Sequence, residues 1–82
     1  MSDIEIRAAE ARRLKDDACF QEIMREIEDG AIAVFRNPVS APDEILAAHE
    51  KVRAADVIRN AIKARIDAET FEQRKNQHRG ND

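Results

Sequence analysis

The chain has 82 residues and a formal net charge of −3, and 38% of its residues are charged. Hydrophobic residues make up 43% of the sequence, but 14 of them are alanine, so the chain can form one domain at most and cannot build a thick core. The mixed-charge surface is not typical of nucleic-acid-binding proteins, and no apolar run approaches the roughly 20 residues that span a membrane.

Residues 1–16 predict a short N-terminal helical extension. Ser2 is a good capping residue, and Glu5, three positions later, completes a capping box. The acidic residues Asp3, Glu5 and Glu10 make this region unlike a secretory signal. At Asp16-Asp17, either aspartate can cap a second helix that starts at Ala18, or one helix can run straight through. We favour a break.

Two matched apolar stripes follow, one on each side of residues 37–41. Their members are Phe20, Met24, Ile27, Ala31 and Val34 in residues 18–36, and Ile45, Ala48, Val52, Ala55, Ile58, Ile62 and Ile66 in residues 42–72. Spacings of three and four place each set on one face of a helix, and the break folds the helices back together. When the two stripes face each other, large residues lie opposite small ones, such as Met24 opposite Ala55, and Phe20 lies opposite Ile58.

Three local features refine these helices. Gly30 is either a tolerated glycine or the mark of a close backbone approach, and tolerance is the favoured interpretation. Ser40 is predicted to cap the long helix by accepting a hydrogen bond from the backbone N–H of Asp43, with Pro42 in the first turn. Residues 73–82 lack large apolar side chains and are predicted to be a frayed or disordered polar tail.

The predicted fold is therefore all-α: a single domain, residues 1–82, formed by an antiparallel helical hairpin with a short N-terminal helical extension. A single interface between the two helices leaves Ile32, Leu46 and Val57 uncovered in an isolated hairpin. We expect these side chains to contact a second copy in a dimer or larger oligomer, or to dock on a larger protein.

Arg59 interrupts the stripe of the long helix, and a charge at that position must pair or extend to solvent. Its partner could lie within the hairpin, with Asp56, Glu22 and the Asp16-Asp17 pair as candidates. Alternatively, Arg59 could form an ion pair across an interface with another protein. Both interpretations stay open, and Arg59 joins Ile32, Leu46 and Val57 as a predicted interaction residue.

No catalytic, cofactor or metal site is predicted, and no enzymatic activity is expected. Cys19 has no second cysteine for a disulfide, and His49 and His78 are too far apart in the sequence for a usual ligand pair. Isolated glycines exclude a glycine-rich phosphate loop. His49 is predicted to be partly buried beside a hydrogen-bond partner such as Asp56 or Arg53.

The C-terminal third is locally basic, but interleaved carboxylates favour a solvated helix over a nucleic-acid-binding surface. Nucleic acid is therefore an unlikely partner by this interpretation, and its contact would involve the C-terminal tail.

Three stretches carry a resemblance to a known group of proteins: Leu14-Lys15-Asp16-Asp17-Ala18-Cys19-Phe20, Asn37-Pro38-Val39-Ser40 and Ala48-His49-Glu50-Lys51-Val52-Arg53-Ala54. The chain resembles small helical proteins encoded by tailed bacteriophages and prophages, whose functions are mostly unassigned. The resemblance implies a phage context, hence a bacterial cytoplasm or a virion, and no chemistry.

The expected function is a non-enzymatic protein–protein interaction module, as a phage-encoded structural or assembly accessory. Two alternatives stay open. One is a small regulatory protein or inhibitor that binds a host enzyme or a nucleic-acid complex. The other is a DNA-packaging or DNA-binding subunit.

Overall fold

The computed structural model describes the backbone of residues 2–80 and the side chains of residues 2–77. Three helices account for nearly all of this part: α1 (Asp3–Asp16), α2 (Ala18–Arg36) and α3 (Pro42–Gly80). The described residues contain no strand, which confirms the prediction of an all-α fold.

Side-chain caps define the first two helix starts. The Ser2 hydroxyl accepts a hydrogen bond from the Glu5 N–H at 3.2 Å, and the Asp17 carboxylate accepts one from the Phe20 N–H at 2.8 Å. The Asp17 backbone is extended, with φ −70° and ψ 122°, so α1 ends at Asp16 and a new helix begins at Ala18. The favoured break at Asp17 is confirmed.

The predicted role of Ser40 is wrong. Its hydroxyl donates a 2.8 Å hydrogen bond to the backbone carbonyl of Val34, in the last turn of α2, and does not cap α3. The first bond of α3 runs from the Ile45 N–H to the Ala41 carbonyl, which places the start of the helix one residue later than a Ser40 cap requires. Ser40 instead donates a second hydrogen bond to a carbonyl in the last turn of α2, which also accepts one from the Asn37 N–H at 3.3 Å.

Replacing Ser40 therefore tests which helix it serves. Ser40→Ala should lower the free energy of unfolding by about 1 kcal/mol, because a partly buried hydrogen bond is lost. Ser40→Asp should be more destabilising than alanine, because a carboxylate would face a carbonyl at the negative end of the α2 dipole. Thermal unfolding of both variants measures the difference. An aspartate variant as stable as the native protein would restore the α3 cap assignment.

The end of the long helix also differs from the prediction, because α3 continues to Gly80 and not only to residue 72. The prediction of a frayed or disordered tail is wrong as far as Gly80, and residues 81–82 lie outside the described part of the chain. The segment from Gln73 to Gln77 contains only polar residues, but most have long unbranched side chains with high helix propensity. High helix propensity thus favours a continued α3 over a segment that has no apolar side chains to pack.

The helices form an elongated assembly in which α3 packs against both other helices, while α1 and α2 touch each other little. The N-terminal extension does not project away from the hairpin. It runs beside the second half of α3 in the same direction, so that Ile4 lies near Ala61 and Ala64 while Arg12 reaches Glu69. The chain then reverses at Asp17 and continues as α2. The chain measures 64 × 23 × 16 Å, and its radius of gyration of 18.2 Å far exceeds the roughly 12 Å of a compact domain this long.

Small residues form most of the core. The buried positions of α3 recur every seven residues, and the buried positions of α1 and α2 face them; they are Ala48, Ala55, Ile62 and Glu69 in α3, Met24 and Ala31 in α2, and Ala8 and Ala11 in α1. A seven-residue repeat is typical of helices that pack side by side along a shared seam. Most buried positions of α2 and α3 belong to the predicted stripes, but several large members of those stripes, including Ile27, are only half-buried.

The alignment of α2 with α3 differs from the predicted pairing at the end of the hairpin where α2 begins, but not near the turn. Ala31 and Ala48 line the same crevice, as the predicted pairing requires, but Phe20 shares a groove with Ile62 and Ile66 and not with Ile58. The predicted pairing of Phe20 with Ile58 is therefore displaced by one to two helical turns. Gly30 has open space where a Cβ would lie, which supports the tolerated-glycine interpretation.

Candidate interaction surfaces

Large apolar side chains are mostly on the outside of this protein. Twelve of them are at least one-third exposed in the described part of the chain: Ile4, Ile6, Leu14, Ile23, Ile32, Phe35, Val39, Ile45, Leu46, Val57, Ile58 and Phe71. Single exposed apolar residues are ordinary, but contiguous ones mark interaction sites. The relevant question is therefore which of these side chains lie together.

Three of them follow one line along α3. Leu46, Val57 and Phe71 are 61%, 67% and 72% exposed, and their spacings of eleven and fourteen residues bring them back to nearly the same angle around the helix axis. We call these three residues the outer stripe. The line runs on the side of α3 away from its seam positions. Leu46 and Val57 were predicted interaction residues, whereas Phe71 was missed although it recurs at nearly the same angle around the helix axis.

The other two predicted interaction residues lie elsewhere. Ile32 is exposed on α2 and is not part of the outer stripe. Arg59 forms an ion pair with Glu28 across the α2–α3 interface, a partner that the sequence analysis did not include. The hydrogen bond between the Arg59 guanidinium and the Glu28 carboxylate, aided by the negative charges of Glu28 and Asp56, raises the pKa of Arg59 above its ordinary value. Of the two interpretations of Arg59, the structure therefore contains the ion pair within the hairpin.

A second ion pair attaches α1 to α3. Glu69 is buried at a seam position, and Arg12 of α1 contacts its carboxylate at 2.6 Å. The hydrogen bond to Glu69 raises the pKa of the Arg12 guanidinium. A buried carboxylate needs a charged or hydrogen-bonding partner, so this pair fixes the position of α1 along α3. Glu69 continues the seven-residue series of Ala48, Ala55 and Ile62, and that spacing could have identified it from the sequence.

A groove lies between α2 and α3, and Lys15 from the C-terminal end of α1 also lines it. Its volume is about 540 Å³, and apolar side chains form its floor: Phe20 and Met24 from α2, and Ile62 and Ile66 from α3. Met24 and Ile62 are buried at the base, whereas Phe20 and Ile66 are half-buried on the walls. No element of the described chain covers this groove, so the hairpin's core is open along one side.

The rim of the groove is positively charged. It includes Lys15, Arg25, Arg59 and Lys63, with Asp67 as its one carboxylate. Lys63 lies 3.2 Å from Asp67, and Arg59 pairs with Glu28. Neither Lys15 nor Arg25 forms an ion pair within the described residues. We refer to the apolar floor and this rim together as the basic-rimmed groove.

Residues considered for chemistry occupy ordinary surface positions. His49 is exposed and not partly buried, and its ring lies against Phe35 with ring centroids 4.6 Å apart. The His49 ring thus packs against Phe35 and not against either predicted partner, Asp56 or Arg53. Cys19 is exposed. Over the residues that the structure describes, no group of three or more His, Cys, Asp or Glu side chains could hold a metal ion.

Two further findings concern the chain as a whole. No helix in the described residues has the length and apolar character needed to cross a membrane. Comparison with protein-family models, curated proteins and solved structures finds no match.

Proposed function

We propose that this protein is a non-enzymatic protein–protein interaction module that associates with itself and serves as a structural or assembly accessory, in the phage context that its sequence resemblance implies. The observation that carries the proposal is the distribution of side chains by size. Alanine fills most of the seam, while twelve large apolar residues stay at least one-third exposed in residues 2–77. Apolar surface left in water is a driving force for association.

The outer stripe is the surface that best suits contact with a second copy. Leu46 and Phe71 are 25 residues apart, which places them roughly 38 Å from each other along α3. Two antiparallel copies of such a stripe can face one another in an isologous contact, where each residue meets its equivalent or a symmetry-related neighbour. Leu46, Val57 and Phe71 lie about 17 and 21 Å apart along α3, with polar residues such as Glu50, Arg53 and Asn60 between them, so the contact would consist of three separate apolar points.

The test is the molar mass in solution at micromolar concentration, measured by sedimentation equilibrium. We expect the native chain to be a dimer or a larger oligomer. Replacing both Leu46 and Val57 with glutamine should shift the equilibrium to the monomer with little loss of helix content, because both side chains are mostly exposed.

The matched control is Val39→Gln in the turn, where the native valine is 83% exposed and lies off the outer stripe. This variant removes exposed apolar surface without touching α3, so it should keep the oligomeric mass. Equal masses for the native chain and the double variant would contradict the outer stripe as the contact, and a folded native monomer at high concentration would contradict self-association.

A further inference from the structure

We propose that the basic-rimmed groove is a docking site for an acidic amphipathic helix from a partner protein. This inference deepens the proposed function, on which it rests, because it identifies the chemistry of a partner for a second surface. The groove and the outer stripe lie on different sides of α3, so one surface can be occupied while the other is in use.

The shape of the groove indicates a helix as the occupant. Two helices with an open apolar trough between them present the surface that receives an amphipathic helix, whose anchors recur at i, i+3, i+4 and i+7. Met24 and Ile62 close the base, and Phe20 and Ile66 form half-buried walls against which such anchors can pack. The third helix of the chain, α1, packs along α3 and contributes Lys15 to the rim, while the apolar floor is formed by α2 and α3.

The charge of the rim indicates an acidic occupant. Four cationic residues and one carboxylate line the groove, although the chain as a whole has a net charge of −3. Lys15 and Arg25 have no carboxylate partner in the described part of the chain and are exposed, so they are available to side chains of a bound helix. Complementary charge at the rim of an apolar site contributes to specificity and to the association rate.

The apolar floor distinguishes this site from a surface for nucleic acid. A phosphate backbone gains from cations but gains nothing from a trough of isoleucine, methionine and phenylalanine side chains, and single-stranded bases need exposed aromatic platforms. Phe20 is half-buried in the wall and is the one aromatic residue that lines the groove.

Fluorescence anisotropy with a pair of labelled synthetic peptides tests the proposal. The first peptide is a helix with leucines at i, i+3, i+4 and i+7 and glutamates at the flanking positions; the second has lysine in place of every glutamate. We expect the glutamate peptide to bind at least about tenfold more tightly, with a preference that weakens as salt concentration rises. Equal affinity for the two peptides, or no binding of the glutamate peptide, would overturn the proposal.

Variants of the rim locate the binding. Lys15→Gln combined with Arg25→Gln removes the two cations that have no partner and should abolish most of the preference for the glutamate peptide. Arg53→Gln combined with Lys75→Gln makes the same charge change at exposed positions outside the groove and should leave the preference intact. Equal losses in the two double variants would show that binding follows net charge and not the groove.

Two further outcomes separate this proposal from its alternatives. Displacement of the bound peptide by a DNA oligonucleotide at equal charge concentration would reassign the groove to nucleic acid and overturn the proposal. A fall in oligomeric mass in the Lys15→Gln and Arg25→Gln variant would mean that a second copy occupies the groove, which also overturns it. Self-association through the outer stripe is measured without peptide, so the failure of one proposal is distinguishable from the failure of the other.

Discussion

Replacing Ile62 with alanine is expected to lower the free energy of unfolding by about 2–4 kcal/mol. Ile62 is 9% exposed and, with Met24, is one of two large apolar side chains that are buried among residues 2–77. Its neighbours include the buried Met24 and the half-buried Phe20 and Ile66, and the substitution would remove its contacts with them. Chemical denaturation followed by circular dichroism measures the loss.

Ile58→Ala is the matched control, because the same residue type stands one turn earlier on α3 and is 41% exposed. It should cost clearly less than Ile62→Ala. Ile27, which is half-buried, should fall between them. Equal losses at Ile58 and Ile62 would mean that the seam does not run through Ile62 as described.

Leucine in place of Ala55 is the second substitution with a large expected effect. Ala55 is 2% exposed in the seam, midway between the buried residues Ala48 and Ile62. Three additional carbon atoms at this point would push α2 away from α3 and cost about 1–3 kcal/mol. The midpoint of thermal unfolding should fall accordingly.

Ala54→Leu provides the comparison, since Ala54 is the neighbouring residue on α3 and is exposed. Leucine has nearly the same helix propensity as alanine, so this variant should change stability by no more than about 0.5 kcal/mol. If both variants are equally stable, the space beside Ala55 is not closed, and small residues are not what sets the approach of the two helices.

Helix positions were predictable because they depend on local chemistry. Apolar spacing of three and four identified α2 and α3, and the capping chemistry of Ser2 and Asp17 identified where α1 and α2 begin. These signals act over one or two turns, so they need no knowledge of how the helices are arranged.

Features that depend on the arrangement of helices were not predictable in the same way. Sequence spacing does not show that Ser40 bonds back to Val34, because that contact depends on the path of the turn. The partner of Arg59 depends on the register between α2 and α3, which drifts along the hairpin. The basic-rimmed groove combines side chains from all three helices, including Lys15 of α1, so it depends on how the helices pack and not on a pattern within any one of them.

The length of α3 is a different case, because two local rules conflict. A lack of apolar residues after Phe71 predicted a frayed segment, while the high helix propensity of the same residues favours a continued helix. The structure follows propensity as far as Gly80.

The central claim is that this chain completes its apolar contacts on another protein surface, in the first instance a second copy of itself. The most direct test is the dependence of thermal unfolding on protein concentration, because association with a folded partner stabilises by mass action. We predict that the unfolding midpoint of the native chain rises steadily over a hundredfold increase in concentration (about 4 °C or more for each 1 kcal/mol gained). The variant with glutamine at positions 46 and 57 should show a constant midpoint, and a constant midpoint for the native chain would contradict the claim.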